Sequence, residues 1–404
     1  MDGDVSLARY AALGTDSLDR DGVTMRFLHT ADWQLGMTRH FLDDDAQPRY
    51  TAARVEVIGR LGKIAAEQGC EFILVCGDVF ESNHLSLRVI KRSLEAMGAL
   101  DIPIYLLPGN HDPLDAASVY RNQAFVSACP ANVHVLDGTD VVRPVEGVEL
   151  IGAPWFSKHP NRDLVAQALN QHAEEPAAQG IVRIVAGHGI VDVLSPDRDD
   201  ASVISFSDLE AAVSQRRAHY IALGDRHSFT NVSDSGFTWY PSAPEVTDFD
   251  DVEINSGHVL VVDMADPSAP KVESHAVGQW RFITLREEFS SDHDVERVLT
   301  ILREIPDKER TVLRYGFTGT LSLVAKARLD AGLESLAEVF AALNPWRRHM
   351  DLAVYVDDEQ LADLGVGGFI APAVKELNEL AREAEDPAAR DALSLLYRLS
   401  GGVR

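Results

Sequence analysis

Five short clusters hold the side chains of this sequence best suited to binding divalent metal: Ala31-Asp32-Trp33-Gln34, Gly77-Asp78-Val79-Phe80, Pro108-Gly109-Asn110-His111-Asp112, Gly187-His188-Gly189 and Gly224-Asp225-Arg226-His227. Together they supply carboxylates, a carboxamide oxygen and imidazoles, a mixed oxygen and nitrogen set that suits two divalent ions. One Gly-Asp or Gly-His pair would mean little, because Asp and Asn also favour turns and helix caps. The weight lies in five such clusters, each directly behind an apolar run.

Those runs read as strands. Arg26-Phe27-Leu28-His29-Thr30 is followed by short apolar stretches at 72–76, 103–107, 149–151, 181–186 and 220–223, and helical patterns at 52–68 and 85–97 alternate with them. The alternation predicts an α/β core with mixed sheets. In such sheets the loops at the carboxyl ends of strands converge on one crevice, and glycines in four of the five clusters let the backbone turn sharply there. Three further strand-like runs, at 258–264, 272–276 and 282–285, are expected to complete or edge the second sheet, so that the core ends near residue 278. A helix at 294–303, a strand at 312–317, a helix near 333–343 and two C-terminal helices then form a smaller α+β unit. Residues 1–24 are polar with little periodicity and are expected to be a loose extension. The chain therefore divides into 1–24, 25–278 and 279–404.

In order, the clusters spell D-x-[HQ], G-D, G-N-H-[DE], G-H and G-x-x-H, and in this the sequence resembles the calcineurin-like metallophosphoesterases. More narrowly, Phe27-Leu28-His29-Thr30-Ala31-Asp32-Trp33-Gln34-Leu35-Gly36 and Gly77-Asp78-Val79-Phe80 resemble the SbcD-type DNA-repair exonuclease subunits. The motif-bearing resemblance covers roughly residues 25 to 230, with a weaker continuation as a capping region. It implies a four-layer β-sandwich flanked by helices, with a C-terminal α+β cap. It also implies two metal ions. Asp32, Gln34 and His227 would hold one, Asn110, His188 and Asp225 the other, and Asp78 would bridge them. His111 would stand beside the substrate phosphate as general acid or transition-state stabiliser. Asp112 keeps two readings: it orients that imidazole, or it caps the next helix.

Gln34 and Asp225 stand where SbcD-type proteins have histidine. Two nitrogen donors become oxygens, which weakens the first position, adds negative charge to the second, and favours manganese, with magnesium or iron as alternatives, over zinc. The resemblance implies a DNA exonuclease or endonuclease that works with an SMC-like ATPase docked on C-terminal helices. There Ala392, Leu395, Leu396 and Leu399 form one apolar face at helical spacing, which packing on the chain's own core would equally explain. A homodimer also stays open. Two other functions compete: a phosphodiesterase or phosphatase acting on a small nucleotide-like substrate, and a scaffold for the ATPase with a disabled site.

The balance of 37 basic and 63 acidic side chains, a net charge of −26, repels phosphate polymers at long range and argues against a general nucleic-acid coat, while leaving room for a local basic surface. It favours the small-molecule alternative. Three cysteines, Cys70, Cys76 and Cys129, without C-x-x-C spacing, read as free thiols, not a disulfide framework or zinc site. No apolar run approaches the roughly 18 residues of a membrane span, and the opening residues lack the pattern of a signal peptide, so a cytoplasmic protein is expected. Asp43-Asp44-Asp45 and the acidic stretch 248–253 read as solvated loops. His29 reads as a hydrogen-bonded core histidine. His84 either faces the crevice or starts a helix near Ser86. Pro154-Trp155-Phe156 reads better as a core-sealing loop than as a stacking surface, and Trp346-Arg347-Arg348-His349 as an ordinary surface patch.

Overall fold

The structure, a computed structural model, describes residues 25–196, 200–355 and 370–383 together with positions 388, 389, 392 and 395. The expected extension 1–24 and the apolar positions Leu396 and Leu399 lie outside the described residues.

The chain opens with β1 (Arg26–Thr30), α1 (Ala46–Glu67), β2 (Phe72–Cys76), α2 (Leu87–Gly98) and β3 (Ile104–Leu107). Next come α3 (Gln123–Ala128), β4 (Val133–Val135), β5 (Val148–Gly152), α4 (Leu164–His172), β6 (Val182–His188), α5 (Phe206–Ser214) and β7 (Tyr220–Gly224). The short β8 (Thr230–Asn231) and β9 (Thr238–Tyr240) precede β10 (His258–Asp263) and β11 (Lys271–Ala276). Beyond these lie β12 (Arg281–Phe289), α6 (Asp294–Glu304), β13 (Thr311–Ser322), α7 (Leu323–Ala337), β14 (Ala342–Pro345), β15 (Asp351–Tyr355) and α8 (Ile370–Glu383).

The fold is the expected four-layer α/β sandwich. One sheet has the order β11-β10-β1-β2-β3-β4 and the other β5-β6-β7-β9-β8. Strands β1 to β4 run parallel, as do β5, β6, β7 and β9. Their apolar runs are nearly continuous because both faces are covered. In β2, Phe72, Leu74 and Cys76 point between the sheets onto Ile184, Ala186, Tyr220 and Ala222, while Ile73 and Val75 point outward under α1 and α2. The other outer layer is α4 and α5, packed on Ile151, Val185 and Ile221. Helix α1 starts earlier than expected, because Asp43 accepts from the Ala46 N–H (2.7 Å) and Pro48 falls in the first turn, where a missing N–H costs nothing.

The second sheet is not completed by the three late strands. β10 pairs antiparallel with β1, β11 edges that same first sheet, and β12 begins a third sheet. Alternation in sequence marks a half-buried strand without specifying its neighbour, which long-range packing decides. In the third sheet residues 311–319 of β13 pair with the whole of β12 on one side, and β13 pairs with β14 then β15 on the other, all parallel. Helices α6 and α7 cover it through Val298, Leu302, Leu313, Phe317 and Leu329. The helix read near 333–343 ends at Ala337, and the chain is extended again from Ala342. Leu333, Leu336 and Phe340 share one core at helix-like spacing, which is why the pattern misleads. A separate cluster containing Tyr50, Phe249, Trp280 and Phe282 joins the third sheet to the sandwich.

Candidate metal centre

The residues of the five clusters meet at one edge of the sandwich, just past the ends of β1, β2, β3, β6 and β7. Their loops are laced together by backbone. Asp32 N donates to Gly77 O (3.0 Å), Gln34 N to Asp78 O (2.8 Å), Leu35 N to Val79 O (2.9 Å), and Gly189 N to Gly224 O (3.1 Å). This convergence strains the chain. Four of the eight described non-glycine residues with positive φ are here: Asp32 (54°), Gln34 (43°), Asp78 (51°) and Asp225 (94°). Such conformations cost about 1–3 kcal/mol each and persist only where the surroundings enforce them. Gly109 is required by close approach, since a Cβ there would lie 2.2 Å from Asp78 Oδ1.

Asp78 is central. Its Oδ1 accepts from His111 N (2.9 Å) and lies 3.4 Å from His188 Nε2, while Oδ2 lies 3.9 Å from His111 Nε2. His188 Nε2 is also 3.7 Å from Asp225 and 2.8 Å from the Asn110 amide oxygen. That amide can present either end, for turning it over lets its N–H groups donate to His188 Nε2 and to both Asp78 oxygens (3.1 and 3.2 Å). The turned orientation suits a neutral His188 ring accepting at Nε2; the other presents an oxygen to a protonated ring or to a cation. On the far side, both Asp32 oxygens accept from Asp225 N (3.2 Å), and His227 Nε2 lies 3.8 Å from Asp32 and 3.3 Å from the Gln34 amide. All seven expected ligands are thereby linked, and Asp32, Asp78 and His188 bring ligand atoms within 4.8 Å of one another.

The set fits divalent cations on the state of its own side chains. Gln34 Oε1 is buried without a hydrogen-bond partner among the described residues, and an orphaned acceptor of this kind is costly unless something fills its place. The ion-pair partners of Asp32, Asp78 and Asp225 among the described residues are histidines. Both imidazoles are turned for ligation. His188 Nδ1 donates to Cys76 O (2.9 Å) and His227 Nδ1 to Glu253 Oε1 (2.7 Å), which leaves each Nε2 facing the carboxylates.

Burial pushes the Asp32 carboxyl up to about 7 against the pull of His227 and His188. For His227, burial disfavours the charged ring, but the Glu253 hydrogen bond and the Asp32 charge outweigh it and hold the pKa up at about 9. His188 is likewise raised well above the ordinary value, with Asp78 overcoming the cost of burial. A cation taken up at Asp32 and His227 must therefore displace protons bound below about pH 7 and about pH 9 respectively, and those protons leave unaided as pH rises. The expected result is a gain in melting temperature on adding Mn2+ that is larger near pH 8.5 than near pH 6.5. An equal gain at both values would mean that these groups do not bind the ion.

Asp112 does neither of the two jobs left open for it. Its carboxylate is fully buried and accepts from Gly109 N (2.7 Å), Phe80 N (3.0 Å) and the Tyr120 hydroxyl (2.6 Å), so it pins the Gly109–His111 turn against the Asp78 loop. The His111 ring is oriented by Glu81 O, to which Nδ1 donates (3.0 Å), and it is the open member of the site, 39% exposed. Other supporting residues leave no local trace in the sequence. Arg54, fully buried in α1, donates to Trp33 O (2.9 Å) and Val246 O (2.9 Å), holding the loop between Asp32 and Gln34. Glu253, read as part of a solvated acidic stretch, is buried and bonded to His227 and Thr247. His29 is the core histidine expected, with Tyr220 and Leu223 O as partners (3.2 and 3.1 Å), and burial lowers its pKa to about 3. Trp155 seals the core and donates to His188 O (2.7 Å), whereas Phe156 is exposed. His84 is exposed and makes its contact through Ser82.

Residues 25–229 match the family described as calcineurin-like phosphoesterase. Over 91 residues the sequence is 34% identical to the DNA double-strand break repair protein Mre11 of Methanococcus maripaludis, a stretch amounting to 22% of this chain and 23% of that protein. The chain thus spans less than a quarter of that relative's length. Among solved structures, TT1561 of Thermus thermophilus superposes with a TM-score of 0.41 at 12% identity, covering 63% of this chain and 100% of the other. A dimetal phosphatase from Danio rerio gives 0.39 at 10% identity, covering 64% and 100%.

Proposed function

The chain belongs to the calcineurin-like phosphoesterase family, and from that premise we propose a two-metal nuclease that cleaves DNA phosphodiester bonds. The observation carrying this reading is the buried Asp32, Asp78 and His188 cluster, flanked by an orphaned Gln34 oxygen and opening on the exposed His111 ring. In this reading Asp32, Gln34 and His227 would hold one ion and Asn110, His188 and Asp225 the second, with Asp78 shared between them. Two divalent ions bound there would activate water and draw negative charge off the phosphate. His111 then gives its proton to the departing alkoxide. Its place at the open mouth, with Nδ1 anchored on Glu81 O, leaves Nε2 for the substrate. Asp112 acts as a positioning residue for this turn. The oxygen-rich donor set supports manganese, with magnesium or iron as alternatives.

The stretch similar to a DNA double-strand break repair protein supports DNA as the substrate. The same reading places an SMC-like ATPase on the C-terminal helices, where Leu380 and Leu395 are exposed, and copurification of the two proteins tests it. Incubation of the purified chain with end-labelled DNA and Mn2+ tests the nuclease directly: metal-dependent cleavage that EDTA stops is expected. The net charge of −26 favours a second reading, hydrolysis of a small nucleotide-like phosphodiester. Turnover of a chromogenic diester with DNA left intact would select that reading.

The two replaced ligands give a further expectation. Gln34→His combined with Asp225→His substitutes nitrogen for oxygen donors and removes one negative charge, which favours later transition metals. Calorimetric titration should show the preference moving from Mn2+ or Mg2+ toward Zn2+, with the first position tightened. No metal bound by the natural chain and two ions by the double variant would mean a lost site and a scaffold.

A further inference from the structure

We propose that the third sheet sets the affinity of one metal position, and not the other, through the loop 246–254. This rests on the metal-binding reading above. The loop is fastened to different parts of the molecule at its base and at its middle. At the base Glu253 holds His227 Nδ1 (2.7 Å), the Thr247 hydroxyl meets the same nitrogen (2.6 Å), and Thr247 N donates to Glu253 Oε2 (2.9 Å). At the middle Asp250 N donates to Phe282 O of β12 (3.0 Å) and Asp250 Oδ1 accepts from Thr284 N (2.8 Å). Asp251 accepts from the Thr284 hydroxyl (2.8 Å), from Arg314 of β13 (2.5 Å) and from Arg286 of β12 (3.1 Å).

Val246 and Phe249 of this loop pack into the apolar cluster with Trp280 and Phe282, whereas Val252 and Ile254, 62% and 63% exposed, add no packing, and polar clamps hold Asp250 and Asp251 between them. An exposed ion pair would be a weak clamp. Arg314 is better placed. Its guanidinium lies 4.0 Å from the ring centroids of both Phe249 and Trp346, is 16% exposed, and also donates to Thr284 Oγ1 (3.1 Å). A cation stacked on aromatic rings and hydrogen-bonded to a shared carboxylate is among the firmer surface contacts. Movement of the third sheet therefore carries Asp250 and Asp251 with it, and Glu253, two residues on, leaves His227.

The two halves of the centre differ in this respect. His188 is held by Cys76 O and by Trp155 on its own carbonyl, both within the sandwich. His227 is held by Glu253, on the loop that Asp250 and Asp251 tie to the third sheet. A displacement of that sheet, by a partner or by substrate, would loosen the ion at Asp32, Gln34 and His227 while leaving the other in place. Arg314, Arg286 and Asp251 are thus positioning residues, acting on the centre through Glu253.

Calorimetric titration of the metal-stripped full chain with Mn2+ tests this. Glu253→Gln should weaken one of two ions by about 10- to 100-fold, the usual cost of losing the partner that orients a ligating histidine. Arg314→Gln should weaken the same ion by about 3- to 10-fold, in the range for residues acting through a network, with the second ion within about twofold. The two substitutions combined should cost less than the sum of their separate effects. Arg286→Gln, a milder change at an exposed side chain, should move the same ion in the same direction if Arg314→Gln fails to fold. Unchanged affinities in Arg314→Gln or Arg286→Gln beside a weakened Glu253→Gln would overturn the coupling, as would equal weakening of both ions. A natural chain that takes up no Mn2+ would instead sink the metal reading itself, and this inference with it.

Discussion

Asp78→Ala is expected to abolish hydrolysis and to remove most of the bound metal. In the proposed centre a single carboxylate shared between two cations would screen each from the other, so its loss would cost both positions at once. The surrounding residues give it no substitute: the Asp32 carboxylate is already engaged by Asp225 N, and Asn110 carries no charge. Asp78 also accepts the His111 N–H (2.9 Å), and alanine would leave that donor unpaired, a cost of about 1–3 kcal/mol for a buried group. Relief of the repulsion between Asp78 and the buried Asp32 and Asp112 works in the other direction, so the metal-free melting temperature should shift little. Asp78→Asn keeps the hydrogen bond and removes only the charge. It should lose metal and activity as alanine does. Full metal content in either variant would show that Asp78 is not the bridge.

The second large effect is expected at His111, where turnover should fall by about 100- to 10,000-fold in His111→Ala, the usual contribution of a positioned proton donor, with metal content unchanged. The separation of the two readouts follows from its place, since the ring is anchored on Glu81 O and reaches no closer to Asp78 than 3.9 Å. The leaving group then discriminates between roles. A substrate whose leaving group needs no proton should be hit far less than one with an alkyl alcohol. Equal losses on both would assign His111 to stabilising charge on the phosphate.

Much of this centre was legible in the sequence, and for a physical reason. A parallel strand covered on both faces is a short apolar run, and the polar residues just past its end have few places to go other than the crevice. Asp32, Asp78, Asn110, His188, Asp225 and His227 could be located in this way, and the glycines beside them marked close approach. The supporting contacts could not be read. Glu253 is 26 residues beyond His227, in a stretch whose acidic character suggested solvent. Arg54 looks like any basic residue of an amphipathic helix until its guanidinium is seen on Trp33 O and Val246 O. Asp112, beside His111 in the chain, faces the opposite way, toward Tyr120. Neighbourhood in sequence says little about the direction of a side chain in a tight turn. Strand pairing is likewise not written locally: β10 and β11 read as strands, yet the place of β10 beside β1, with β11 at the edge, depends on contacts more than 200 residues apart in the chain, as Arg26 opposite Asp263 shows.

The most direct measurement is the hydrolysis rate of a phosphodiester followed together with the number of Mn2+ ions bound as metal-stripped protein is titrated. Two ions per chain are expected, with activity appearing only as the second binds and vanishing when EDTA removes it. Hydrolysis at full rate with one ion bound, or with none, would contradict a two-metal centre at Asp32, Asp78 and His188.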